Sequence, residues 1–154
     1  MSATANALSR AVFSSAKSDW RTPEDLFERL DRRWGPFDTD AAASAENALC
    51  ARFFTEAQNA LTLDWYAAGA RRVFVNPPYG RGTVIKWVAK AYAESLKGCR
   101  VVMLLPARTD SPWFHDIVKP HAFHIEFLRG RVKFQGAQAG APFPSLIVVF
   151  EGQP

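Results

Sequence analysis

The chain has 154 residues and a formal charge of +4, and 48% of it is hydrophobic, with 5 Trp and 12 Phe. That composition suits one globular domain with its own core and excludes a disordered chain. No apolar run approaches the roughly 20 residues a bilayer crossing needs, and Cys50 and Cys99 lack metal-like spacing, so neither a membrane span nor a metal framework is expected.

Residues 1–18, rich in Ala and Ser without a continuous apolar stretch, read as a leader rather than a secretory signal, and residues 19–154 as a single domain. Trp20-Arg21-Thr22-Pro23-Glu24-Asp25 reads as a helix start, with Thr22 as cap, Pro23 in the first helical position and Asp25 as the capping-box acid. Leu26, Phe27, Leu30 and Trp34 recur at helical spacing to about Arg33, and Gly35-Pro36 stops the run. Residues 37–40 resemble a short strand ending in the acid Asp40. The small residues 41–44 then allow close approach of backbone to a ligand.

A brief strand is expected at 52–55, and residues 61–65 are a candidate strand or turn near Asp64. Residues 72–75 are a buried strand of β-favouring side chains running straight into Asn76-Pro77-Pro78-Tyr79-Gly80. A helix follows, with Val84, Trp87, Val88, Ala91, Tyr92 and Leu96 on one face. Residues 100–105 form an apolar strand closed by Pro106, Trp113, Phe114 and Ile117 sit on a short helix, and strands at 124–128 and 145–150 are joined by a Gly-rich loop. Strands alternating with helices predict an α/β sheet covered on both faces. Ligands of such sheets bind outside the carboxyl ends of strands, which places Asp40, Asp64, Asn76 and Arg108 on one expected rim.

Asn76 to Tyr79 carry the chemistry. Two consecutive prolines cannot continue a ladder, so the strand ends there and the backbone that follows is rigid. An amino group conjugated to a heteroaromatic ring is a poor nucleophile because its lone pair is delocalised. Acceptors for both of its hydrogens draw the nitrogen towards a tetrahedral shape, and the Asn76 side-chain oxygen and Pro77 carbonyl suit those roles. Tyr79 is expected to stack on the ring of a base flipped out of its duplex. On the residues alone the tetrapeptide is also a Pro-Pro turn after a strand. It serves equally for cytosine N4 or a protein glutamine amide, and a non-catalytic nucleic-acid-binding module is a reading from another class.

With its other landmarks, the sequence resembles the phage-type DNA adenine-N6 methyltransferases of the Dam class from about Trp20 to Phe150. The landmarks are Trp20-Arg21-Thr22-Pro23, Phe37-Asp38-Thr39-Asp40-Ala41-Ala42, Leu61 with Asp64-Trp65, Asn76-Pro77-Pro78-Tyr79-Gly80, Leu105-Pro106-Ala107-Arg108-Thr109-Asp110 and Gly130-Arg131-Val132-Lys133-Phe134. The resemblance implies a Rossmann-like fold, with a mostly parallel seven-stranded sheet and helices on both faces. It also implies S-adenosylmethionine (SAM) as donor, double-stranded DNA as partner, and work in the cytoplasm of a bacterial host from a phage or prophage gene. Trp20, Thr22 and Pro23 match the segment near the methionine part of SAM, Asp40 and Ala41 the first cofactor motif, Asp64 a contact to the adenosine, and Asn76 both the cofactor edge and the catalytic motif. The chain departs from the usual Gly-rich turn after the first strand, having Asp40-Ala41-Ala42-Ala43-Ser44 instead. Arg81, Arg108, Thr109, Arg131 and Lys133 are candidate DNA contacts on charge and position. No part of the chain is left for a separate target-recognition domain, so recognition is expected from loops around 81–83 and 135–142 or from a second subunit.

Overall fold

The computed structural model describes residues 20–154, so the expected leader lies outside the described residues. Helix α1 spans Glu24–Trp34 and begins after Pro23. Glu24 and Asp25 occupy its first turn and Arg32 and Arg33 its last, matching the helix dipole at both ends. Thr22 does not cap it, contrary to the sequence expectation: no side chain caps this helix, and the Thr22 hydroxyl is engaged with Asn76. Leu30 and Trp34 face the core.

Strand β1 is Thr39–Asp40, β2 is Arg52–Phe53, β3 is Arg72–Val75, β4 is Arg100–Pro106, β5 is His124–Phe127 and β6 is Ser145–Phe150. They form one sheet in the order β2-β1-β3-β4-β6-β5. The β2–β1, β1–β3 and β3–β4 pairs are parallel, while β4–β6 and β6–β5 are antiparallel. Five strands therefore point one way and only β6 runs against them. The seven-stranded expectation is corrected to six among the described residues. Residues 61–65 supply no strand: Ala60–Thr62 is a 3-10 turn, and Asp64 opens the turn after it.

Helix α2, Val84–Lys97, buries Val84, Trp87, Val88, Ala91, Glu94 and Ser95. Leu96, expected on that face, is 54% exposed. The reason is phase: at 3.6 residues per turn the stripe continues through 94 and 95, and the buried Glu94 fills the place an apolar residue was expected to take. Its carboxylate accepts the N–H groups of Trp65 and Tyr66 and pairs with Lys90 and Lys97. Those bonds pin the irregular segment before β3 against the helix. A π-helical turn, Phe114–Val118, follows β4 and buries Phe114 and Val118.

Candidate active site

The carboxyl ends of β1, β3 and β4 lie side by side. Asp40 ends β1, Asn76 follows β3, and Ala107 and Arg108 follow β4. Register pairs Asp40 with Phe74, two residues before Asn76, so the two polar groups stand on adjacent strands at the same edge.

Asn76 has every end of its carboxamide placed. Its Nδ2 donates to the Trp20 carbonyl oxygen at 2.5 Å and to Thr22 Oγ1 at 3.0 Å. Its Oδ1 accepts the Tyr79 hydroxyl at 2.5 Å. The same hydroxyl lies 3.1 Å from the Leu104 carbonyl. Burial pushes the Tyr79 hydroxyl well above its ordinary value of 10, against the opposing pull of Arg108, so it stays protonated and donates.

Tyr79 differs from its expected place. Its ring is 2% exposed and meets Phe143 and Phe134 edge-on at 5.6 and 6.2 Å. No open ring face is left for stacking in this conformation. Trp20 stands 5.2 Å from Phe134 and 5.3 Å from Phe143, so Trp20, Tyr79, Phe134 and Phe143 make one aromatic cluster beside Asn76. Phe134 and Phe143 have no role in the sequence reading. Phe134 closes a quoted landmark and Phe143 sits between two prolines, but only their meeting across the fold shows what they pack against. Pro77 is buried and Pro78 exposed at the turn between Asn76 and Tyr79.

Asp40 is 4% exposed. Burial raises its carboxyl to about 6, although the N–H groups of Leu49 and Ala42 pull the other way. Those two bonds, to Oδ2 at 3.1 Å and Oδ1 at 3.3 Å, hold the loop after β1 in place where a Gly-rich turn was absent. Each carboxylate oxygen keeps further lone-pair capacity. A cationic group placed against Asp40 would offset that burial and favour the ionised carboxylate, so the residue fits the positively charged end of SAM. Ala41 is fully buried, and its N–H extends the ladder to Phe74. It offers a ligand absence of bulk rather than a donor.

Asp64 does not join this rim. It accepts the Ala67 N–H and pairs with Lys97 at 3.2 Å. Lys97 ends α2 beside the start of β4, so Asp64 stands at the amino edge of the sheet. The cavity lined by Asp38, Arg71, Arg72, Arg100 and Glu151 opens at that amino edge too. Its acids are already engaged, Asp38 by the N–H groups of Arg71 and Arg72 and Glu151 by Arg100.

The basic candidates lie on segments that follow the carboxyl ends of β3, β4 and β5. Arg108 donates to the Tyr79 carbonyl at 3.3 Å, with exposed Thr109 next in the turn. Arg81 is exposed two residues after Tyr79. Arg131 donates to the Ala141 carbonyl and Lys133 is exposed, both on the β5–β6 connection. That connection is tied to the site through the bridge between Arg21 and Gln135. Among the described residues no helix is long and apolar enough to cross a membrane.

A family model described as DNA N-6-adenine-methyltransferase (Dam) matches residues 10–150. Over 97 residues the chain is 37% identical to the DNA N-6-adenine-methyltransferase of Escherichia phage T1, covering 63% of this chain and 39% of that protein. Over 144 residues it is 30% identical to the DNA N-6-adenine-methyltransferase of Haemophilus phage HP1, covering 89% of this chain and 80% of that one.

Proposed function

Because the chain belongs to the DNA N-6-adenine-methyltransferase (Dam) family, we propose that it transfers a methyl group from SAM to the exocyclic N6 of an adenine flipped out of double-stranded DNA. The observation that carries this reading is the fully placed Asn76 carboxamide at the end of β3, beside the strand that ends in Asp40. When bound, SAM supplies an electrophilic methyl group on a positively charged sulfur.

The chain's own residues act on the other partner. Asn76 Oδ1 has a second lone pair beyond the one taken by Tyr79, and it accepts one N6 hydrogen. The Pro77 carbonyl, fixed by the two prolines, accepts the other. Both acceptors draw the nitrogen lone pair out of the ring and stabilise the positive charge that develops on N6, which then sheds one proton to solvent water. Asp40 favours the cationic end of SAM, and Ala41 adds no bulk beside it. Arg81, Arg108, Thr109, Arg131 and Lys133 contact phosphates, and the loops 81–83 and 135–142 read sequence. The setting that suits this work is the cytoplasm of a bacterial host.

The test is transfer of labelled methyl from SAM to unmethylated DNA, followed by nucleoside analysis of wild type and Asn76→Ala. The expected product is N6-methyl-2′-deoxyadenosine. Asn76→Ala should lose at least about a hundredfold in rate, as for loss of a preorganised polar group at a reacting centre, while still binding SAM. Label on cytosine N4 or on protein overturns the acceptor, and full activity of Asn76→Ala overturns the site.

A further inference from the structure

A carboxamide can be placed two ways round, with its oxygen and nitrogen exchanged, and only one way presents an acceptor to an amino group. The surroundings of Asn76 decide between them. The Trp20 carbonyl oxygen can only accept, and it lies 2.5 Å from Asn76 Nδ2. Exchanging the ends would set two oxygens against each other at that distance. It would also remove the acceptor that the Tyr79 hydroxyl meets at 2.5 Å. Thr22 Oγ1 takes the second N–H at 3.0 Å, and Thr22 itself is buried, 6% exposed.

We propose that Thr22, acting with the Trp20 carbonyl, is the positioning residue that fixes the Asn76 carboxamide with its oxygen towards the adenine amino group. The inference rests on the reading of Asn76 as the acceptor and assigns Thr22 a role other than the cofactor contact expected from sequence. Two N–H bonds donated from the nitrogen end polarise the amide and leave more negative charge on Oδ1, strengthening it as an acceptor. The strap formed by residues 20–22 is held in place from two further sides. Gln135 N–H donates to the Arg21 carbonyl at 2.9 Å, and the Trp20 ring packs on Phe134 and Phe143. The orientation of the acceptor is thus set by chain distant in sequence, 54 residues away at Thr22.

The experiment compares Thr22→Val, which keeps the shape and deletes the oxygen, with Thr22→Ser, which keeps the oxygen. Both are assayed in the full chain for kcat, for KM of SAM and of DNA, and for thermal melting. Thr22→Val should lower kcat roughly tenfold, as expected for the loss of one orienting hydrogen bond, while KM for SAM changes little. Thr22→Ser should restore kcat. Wild-type kcat in Thr22→Val overturns the proposal. So does a rise in KM for SAM at retained kcat, which would make Thr22 a cofactor contact. Should Thr22→Val melt early, Thr22→Ala deletes the same oxygen without new bulk and is judged by the same criteria. Wild-type activity in Asn76→Ala is a separate failure, because it removes the acceptor itself whatever Thr22 does.

Discussion

Tyr79 and Asp40 each perform a task at the residue scale that their sequence context leaves half open. The Tyr79 ring is packed and its hydroxyl is bonded to Asn76 Oδ1, so Tyr79→Phe separates the two contributions. A role confined to stacking predicts unchanged turnover in that variant, since the ring remains. The hydroxyl bond predicts a fall in kcat of roughly tenfold at similar DNA affinity, read by steady-state kinetics. Asp40 titrates at about 6 because it is buried. Its folded value lies above the unfolded one of 3.8, so the ionised form costs the fold about 3 kcal/mol at neutral pH, and that cost fades as pH falls from about 6 towards 4. A cationic ligand favours the ionised form. SAM affinity should therefore be full above pH 6 and decline below it by up to about tenfold per unit, as linkage requires. Asp40→Asn should bind more weakly at pH 7 and lose that pH dependence, measured by calorimetry from pH 5 to 8.

Elements show where sequence patterning was sufficient and where it was not. Strand β3 and its abrupt end at Asn76 were legible, because a run of β-favouring residues followed by two prolines has few other solutions. The end of β1 at Asp40 was legible differently, as a short run closing on an acid before the small residues 41–44. Asp64 was misplaced because an acid after apolar residues reads alike in a strand end and a turn; its partner Lys97 lies on a distant helix. Leu96 was misplaced because Glu94, charged yet fully buried, is accepted into the core only through bonds to residues 65, 66, 90 and 97. Burial pushes the Glu94 carboxyl up, but Lys97, the Tyr66 N–H and Lys90 outweigh it, and the net shift is below the ordinary 4.5. A group depressed on folding stabilises above its unfolded value, so this contribution disappears as pH falls below about 4.5. Glu94→Ala leaves the Trp65 and Tyr66 N–H groups without their acceptor and takes one ion-pair partner from each of Lys90 and Lys97, and should cost about 3–5 kcal/mol in urea unfolding.

For the whole molecule, basic residues occupy both edges of one sheet, and the edges differ in which of them holds Asn76. Arg81, Arg108, Arg131 and Lys133 follow the carboxyl ends of β3, β4 and β5, while Arg72 and Arg100 open β3 and β4 at the amino edge. If the first group meets phosphates, removing Lys133 should reduce the salt slope of DNA binding by about 0.9, the release of one counterion. Arg72→Ala, an equal change of charge at the far edge, should leave the slope alone; filter binding from 50 to 200 mM salt reads both. The alternation of strands and helices made the α/β class legible, but the count of six strands was not, because residues 61–65, a candidate strand by pattern, fold as a 3-10 turn and the turn after it.

The reversal of β6 has a consequence for how such a protein can change its target. Because β5 runs with the other strands and β6 returns against them, their connection emerges at the carboxyl edge, beside Asn76. Residues 135–142 lie between Phe134 and Phe143, both fastened in the aromatic cluster. Insertions, deletions or exchange within residues 136–140, between the Gln135 bridge to Arg21 and the buried Ala141, would leave the sheet and the reacting corner as they are. Evolution, or an engineer, is thereby offered a cassette: if this loop reads the target as proposed, swapping its tip would change specificity while the chemistry is inherited unchanged.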